Sequence, residues 1–275
     1  GMYWRNSNTS TQAQIMEAYN EIGYNAEEME QMKLWLLTQK RSNMWENNRS
    51  TVDAIYALLM NGEDMFNDGN VSLSGDNINV EGSEGEAGTG FITKTWTGNE
   101  IDNLNTITVN NDSPHIAWGG MFRQYLVPAD KVKAADNSLT INRKYYIERY
   151  SVDGTKLIPA EQETVKEGDI LVVQLTVKCK QDMEFVVLND MYAACFEPEE
   201  QISSYKYNNG LYYYFSPSDS NVTMYFNTLP KGEYQLYYKV YITREGYFNA
   251  GFADIQCLYA PEFRAYSKGE NIIVK

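Results

Sequence analysis

Histidine is almost missing from this chain of 275 residues: His115 is the only one. Any Ser-His-Asp or Cys-His site would have to be built on it, and no G-x-S-x-G elbow accompanies it. Flanked by Pro114 and a run that reads as a strand, His115 is expected to be structural at a strand entrance. Cysteine is scarce as well. Cys179, Cys195 and Cys257 lie far apart with no C-x-x-C pair, which argues against a zinc site. An odd number argues against a disulfide framework, so three buried thiols are expected, with a Cys179–Cys195 bridge as the alternative. Phosphate-binding and dinucleotide-binding glycine loops are absent, and no cofactor is called for.

Positive charge is short: 23 Lys and Arg stand against 37 Asp and Glu, for a formal net charge of −14. Such a field repels a phosphate backbone unless a local basic patch overcomes it. No basic run exceeds a pair, and one such pair, Arg143–Lys144, falls in a strand-like segment. Nucleic acid is therefore not an expected partner. Nor does any apolar run approach the roughly 20 residues that span a bilayer. Gly1 before Met2 reads as a remnant of cloning, so the lack of a leader says nothing about compartment.

What the chain has in quantity is tyrosine, 22 residues, suited to half-buried β surfaces where a ring covers the core and its hydroxyl stays wet. The length allows two or three units, and three regions follow one another. Residues 3–61 carry helical periodicity. One helix runs from about Thr11 to Ile22, with Ile15, Tyr19 and Ile22 on one face. A second is capped by Asn25 with Glu28 three residues on, carries Met29, Met32, Trp35 and Leu36, and closes on Lys40 and Arg41. A third is opened by Ser50 with Asp53, carries Val52, Ile55, Tyr56 and Leu59, and stops at Asn61-Gly62. Three short helices cannot bury all these faces alone, and they read as the end of something larger.

Short strand patterns follow at Val71–Leu73, Ile78–Val80, Gly90–Trp96, Thr106–Val109 and the apolar run Ile116–Val127, with Glu81–Gly88 as an acidic solvated turn. Asp64, Asp68, Asn70 and Asp76 hint at calcium, but without the spacing of a calcium loop. Asp130–Asn137 reads as the boundary to a third region of strands: Thr140–Glu148, Ile170–Cys179, Glu184–Ala194, Leu211–Phe215, Val222–Phe226, Tyr234–Thr243, Ala253–Leu258 and Ile272–Val274. Turn signals such as Asn208-Asn209-Gly210, Pro230-Lys231-Gly232 and Glu245-Gly246 separate them, with no helix between, as in an antiparallel sandwich. Glu197-Pro198-Glu199-Glu200 and Glu27-Glu28 pair carboxylates only in sequence, which is not the opposed pair that glycoside hydrolysis needs. Tyr212-Tyr213-Tyr214-Phe215 could suggest a sugar platform, yet alternate rings of a strand face opposite ways, so core on one face and cross-strand packing on the other is expected.

Several segments together resemble the bacterial, Bacteroidetes-type alpha-2-macroglobulin family. These are Ala117-Trp118-Gly119-Gly120-Met121-Phe122-Arg123-Gln124-Tyr125, the stretch Phe185–Pro198, Leu229-Pro230-Lys231-Gly232, and Ile255–Phe263 with its Tyr259-Ala260-Pro261-Glu262-Phe263 corner. The resemblance implies a mainly β C-terminal fragment. Residues 3–61 would be the last helices of an α/α-toroid thioester-type domain, 62–128 a CUB-like β half-domain, and 130–275 a terminal macroglobulin-like, immunoglobulin-like antiparallel sandwich. It further implies a secreted, periplasmic or cell-envelope protease inhibitor, with a lipoprotein anchor conceivable in the parent protein. The upstream domains of its own chain and target proteases would be its partners.

In such proteins a cleaved bait region triggers rearrangement and a Cys–Gln thioester acylates the attacker. The C-x-E-Q motif is absent here, since Cys179, Cys195 and Cys257 precede Lys180-Gln181-Asp182, Phe196-Glu197-Pro198 and Leu258-Tyr259-Ala260, and no bait region is recognisable. The piece would be non-enzymatic. By resemblance, Leu258, Tyr259 and Pro261 would form a loop shielding the thioester of the parent chain, with Leu258 standing where the family has methionine. In members without a thioester, Tyr259 would be purely structural. Two other readings are a surface sandwich binding glycan or protein ligands through exposed tyrosines, and a hydrolase using His115.

Overall fold

The computed structural model describes residues 7–23, 25–40, 45–60, 71–75, 84–86, 91–101, 106–111, 117, 119–152, 154–208 and 210–275. His115, Asp64, Asp68, Asn70, Asp76, Ile78–Val80, Arg41 and the expected Asn61-Gly62 stop lie outside the described residues. The chain divides into two compact units, Gly1–Met121 and Phe122–Lys275. Among the described residues no helix is long and apolar enough to cross a membrane.

Among its described residues the first unit holds three α-helices, α1 (Asn8–Glu21), α2 (Ala26–Gln39) and α3 (Asn48–Met60). Asn25 caps α2 as expected, its side chain accepting from the Glu27 N–H at 3.0 Å. The start of α3 differs from expectation. Asn47, not Ser50, accepts the orphan N–H of the first turn (Ser50 N to Asn47 Oδ1, 2.9 Å), and Ser50 is fully buried. The buried faces differ too. α1 buries Thr9, Ser10, Ala13 and Met16 and leaves Ile15 and Ile22 exposed; α3 buries Ser50, Ala54, Ala57 and Leu58 and leaves Val52, Ile55, Tyr56 and Leu59 exposed. Small residues let α1 and α3 approach closely. A hydroxyl cluster completes the contact, with Ser7 bonded to Ser50 at 2.8 Å and donating to Glu46 at 2.6 Å.

Strands β1 (Val71–Gly75), β2 (Glu84–Glu86), β3 (Phe91–Thr93) and β4 (Ile107–Asn111) make two two-stranded antiparallel pairs, β1 with β4 and β2 with β3. Part of the acidic segment expected as a turn is thus a strand. The apolar run expected as a strand up to Val127 forms none over residues 119–128, where Met121, Phe122, Tyr125 and Leu126 are exposed. Alternating hydrophobicity makes a strand only where a partner edge offers hydrogen bonds.

The second unit is a two-layer antiparallel sandwich. Its strands are β5 (Leu139–Ser151), β6 (Gly154–Pro159), β7 (Ile170–Cys179), β8 (Met183–Met191), β9 (Phe196–Pro198), β10 (Ser204–Asn208), β11 (Leu211–Pro217), β12 (Asn221–Leu229), β13 (Gly232–Ile242), β14 (Gly246–Asn249), β15 (Ala253–Cys257), β16 (Ala260–Tyr266) and β17 (Asn271–Val274). One sheet runs β10-β11-β12-β8-β15-β16, the other β6-β5-β7-β13-β9, and β14 pairs with β17. Every second residue faces inward: Leu171, Val173, Leu175 and Val177 from β7, Val222, Met224 and Phe226 from β12, Leu236, Tyr238, Val240 and Ile242 from β13. Each such side chain contributes about 1.5–3 kcal/mol by leaving water.

The alternation in β11 sends Tyr213 and Phe215 inward and leaves Tyr212 exposed, as expected. Outward tyrosines of three neighbouring strands then meet: Tyr205 stacks on Tyr212 (centroids 5.2 Å) and meets Tyr214 edge-on, and Tyr214 lies 6.4 Å from Tyr225. On the edge strand β10 the inward position holds Lys206, whose ammonium sits 4.1 Å from the Phe215 ring centroid and bonds Glu200 at 2.5 Å. The three cysteines are free and buried, as expected.

At the end of β5, Arg149 holds two carboxylates, Asp169 (2.5 and 3.1 Å) and Glu163 (2.6 and 2.9 Å). Burial raises the Asp169 pKa, but the Arg149 hydrogen bonds and the Lys166 N–H outweigh it and hold the carboxyl below its ordinary value. The folded state therefore binds this proton less readily than the unfolded state. Its stabilisation is complete above the ordinary Asp value of about 3.9 and is lost as pH falls through the folded pKa. We expect Asp169→Asn to cost about 1 kcal/mol at pH 7, with the difference from wild type narrowing as the pH is taken down below the ordinary Asp value, as urea unfolding across that range would read.

Candidate functional site

The inward register of β5 runs Leu139, Ile141, Arg143, Tyr145, Ile147, and that of β8 runs Val186, Leu188, Asp190. The same alternation that buries the aliphatic residues therefore puts one cation and one anion inside the sandwich, from opposite sheets. Arg143 Nη1 donates to Asp190 Oδ1 at 2.7 Å, to the Met191 carbonyl at 2.7 Å and to the Ala250 carbonyl at 3.1 Å; Nη2 donates to the Gly251 carbonyl at 2.7 Å. Tyr238 donates its hydroxyl to Asp190 Oδ2 at 2.7 Å. Both charged side chains are fully buried. Burial works against Arg143's charge, yet Asp190 leads the groups that raise its pKa, so the guanidinium stays charged. Burial pushes the Asp190 carboxyl up, against the pull of Arg143 and Tyr238. This node fixes β8 to β5 and to the loop before β15. It is a structural clamp.

β8 and β15 run side by side from that clamp to the other end of the sheet, with Asp190 opposite Ala253 and Val186 opposite Cys257. There Leu258 and Tyr259 form the two-residue turn into β16, with Cys257 paired to Ala260. The expected corner at Tyr259-Ala260-Pro261 is thus a hairpin, and Ala260–Tyr266 is a strand. Proline is tolerated because β16 is an edge strand and Pro261 stands near its start. The Leu258 N–H donates to the Phe185 carbonyl at 2.9 Å. Tyr259 meets the Phe185 ring edge-to-face, centroids 5.2 Å apart at 88°. Leu258 is 51% exposed, Tyr259 59% and Phe185 42%. Pro261 is exposed as well.

Leu258, Tyr259 and Phe185 therefore form an exposed apolar and aromatic knuckle at this end of the sandwich. Cys257 lies beneath it, but burial pushes its thiol up, and the thiol donates to the Glu184 carbonyl at 3.2 Å. Burial likewise raises Cys179, and pushes Cys195 up to about 11. These are poor nucleophiles. Among the described residues no cluster of three His, Cys, Asp or Glu could hold a metal ion. A cleft of about 500 Å³ lies at the opposite end of β8, lined in part by Asn189, Tyr192, Asn221 and Asn249. Its amides largely bond within the protein: Asn221 to Asn189, and the Gly251 N–H to Asn249 at 2.7 Å.

Residues 139–262 match the family model of the bacterial alpha-2-macroglobulin MG10 domain. The match takes in the sandwich from β5 to the start of β16, the clamp and the Leu258–Tyr259 turn with it. Solved structures resemble the chain over 98% of its length at 15% identity. They include Escherichia coli alpha-2-macroglobulin activated by porcine elastase (TM-score 0.46, 24% of that chain) and the trypsin-activated Escherichia coli protein (0.47, 19%). Salmonella alpha-2-macroglobulin reacted with methylamine is another (0.43, 17%). The chain thus spans a quarter or less of each of these. At that identity and those scores, none of them fixes the role of a residue here. Among curated proteins no match emerges.

The sandwich holds Leu258 and Tyr259 on one turn with Pro261 just beyond it at the start of β16, and adds Phe185, which sequence reasoning missed as a neighbour. Alternation places Phe185 outward on β8 but gives no sign that its ring reaches the next hairpin. The clamp was missed too. Its signal was legible in the phase of the alternation, since Arg143 and Asp190 both fall on inward positions.

Proposed function

We propose that this chain is the non-catalytic C-terminal portion of an alpha-2-macroglobulin-like endopeptidase inhibitor of the Bacteroidetes type. Residues 3–61 would end its toroid, 62–128 return a CUB-like half-domain, and 130–275 form the terminal sandwich. The upstream domains of the same chain and the target proteases are its partners, at the cell envelope or outside it. The observation that carries the reading is the MG10 match over 139–262, with the Leu258–Tyr259 turn standing exposed at its end. A thioester lasts only while water and amines are kept from its carbonyl, and an apolar aromatic projection can exclude both. In the thioester-bearing parent, Tyr259→Ala should speed methylamine inactivation several-fold and leave the unfolding midpoint unchanged. An unchanged rate with unchanged stability removes the shielding role; a large loss of stability makes Tyr259 a structural residue.

The contiguous outward rings of Tyr205, Tyr212, Tyr214 and Tyr225 favour a second reading, a surface module for glycan or protein ligands. Glycan-array binding abolished by Tyr205→Ala and Tyr212→Ala would support it over the first.

A further inference from the structure

Phe185 has a φ of 54°, and no other described residue apart from glycines has a positive φ. A left-handed backbone brings the Cβ of an L-residue against its own carbonyl, which is why glycine, asparagine and aspartate take such positions and phenylalanine rarely does. The kink has a visible use for the fold. Inward positions on β8 are Val186, Leu188 and Asp190, yet Met183 is also buried; on β12 they are Val222, Met224 and Phe226, yet Leu229 is also buried. The inward phase thus changes across Phe185 and the facing Asn227, and Met183 pairs with Leu229 beyond it. Glycine would serve that purpose without steric cost. The ring itself is 42% exposed, so the core does not require it either.

What the ring does is visible at the turn. Its edge-to-face contact with Tyr259 and the bond from the Leu258 N–H to the Phe185 carbonyl both end on the projecting pair. We infer that Phe185 is a positioning residue, kept in an unfavourable backbone conformation so that its ring and carbonyl hold Leu258 and Tyr259 in one presented geometry. The consequence for shielding rests on the reading given above; the positioning does not.

The test uses the 275-residue chain and three variants. Phe185→Gly and Phe185→Asn accept the left-handed backbone without the ring, and Phe185→Tyr keeps a ring. In the first two, the unfolding midpoint should hold or rise. Exchange of the Leu258 and Tyr259 amides should quicken roughly two- to tenfold, the range one edge-to-face pair supplies, and the Tyr259 ring resonances should move toward their unfolded positions. Phe185→Tyr should restore both. Unchanged Tyr259 resonances and exchange in Phe185→Gly overturn the positioning role, as does a lowered midpoint in both ring-less variants, which would make the ring part of the core. In the thioester-bearing parent, Phe185→Gly should raise the methylamine rate by less than Tyr259→Ala does. If Tyr259→Ala leaves that rate unchanged while Phe185→Gly still loosens the turn, the shielding reading fails and the positioning stands.

Discussion

Arg143→Met should destabilise the sandwich by about 3–5 kcal/mol, the cost of leaving one member of a buried ion pair without the other. The substitution keeps an unbranched stem in the same space but removes the donors that serve Asp190 and three backbone carbonyls. Among the described residues, Tyr238 then remains as a side-chain donor to Asp190, whose charge is fully buried. Burial and the repulsion of Asp190 also keep Glu270 inclined to hold its proton, a tendency that Arg143 opposes. Arg143→Met combined with Asp190→Leu should recover a good part of the loss, because no bare charge is left inside. Urea unfolding followed by far-UV circular dichroism reads both. All five tryptophans, at 4, 35, 45, 96 and 118, precede the sandwich in the sequence, so the strand signal is the readout used. A double variant no more stable than Arg143→Met would show that the carbonyl contacts, not the charge pair, carry the clamp.

A second large effect is expected at Gly269, in the loop between β16 and β17. A methyl group there would meet the Ala129 carbonyl oxygen at 2.1 Å and the Asp130 carbonyl carbon at 2.9 Å, both backbone atoms that cannot turn aside. The stretch 129–135 is tied to this edge by several bonds. The Gly269 N–H donates to the Val132 carbonyl at 2.9 Å, Ala135 and Tyr266 exchange backbone bonds at 3.1 and 2.8 Å, and Asn271 donates to Asp130 at 3.2 Å. Gly269→Ala should cost about 1–3 kcal/mol, as overpacking against a fixed backbone does. It should also release the strap, so limited trypsin digestion would cut sooner at Lys131 and Lys133. An unaltered cleavage rate at those lysines would mean that the strap is held elsewhere.

The central strands were legible because burial on one face leaves an apolar residue at every second position: β7, β8, β12 and β13 all show it. The edge strands were not. β6 has one apolar pair in six residues, β10 offers Lys206 at its inward position, and β16 begins with Ala260-Pro261, which reads as a corner until the partner β15 is in view. Helix α2 buries Met29 and Leu36 with Met32 and Trp35 packed against them, as expected, but α1 and α3 failed in the opposite way. Helix caps are local chemistry, and Asn25 was found. Buried faces depend on a neighbour, and α1 meets α3 through Ser10, Ala13, Ser50, Ala54 and Ala57, residues too small or too polar to announce a core. At the candidate site, Leu258, Tyr259 and Pro261 came from likeness to a family. The left-handed Phe185 that braces them leaves no mark in the local sequence.

Lys206 bears on how this protein behaves in a crowd. β10 closes one side of the six-stranded sheet, so an incoming chain could extend the sheet there, and its tyrosine pairs would make the addition sticky. The incoming strand would have to lay its own inner face beside an ammonium already engaged by Glu200 and the Phe215 ring. A charge turned inward at the last strand makes that growth unfavourable while leaving the finished sheet undisturbed. Lys206→Val should remove that block and quicken self-association, read as faster growth of light scattering than wild type at matched concentration.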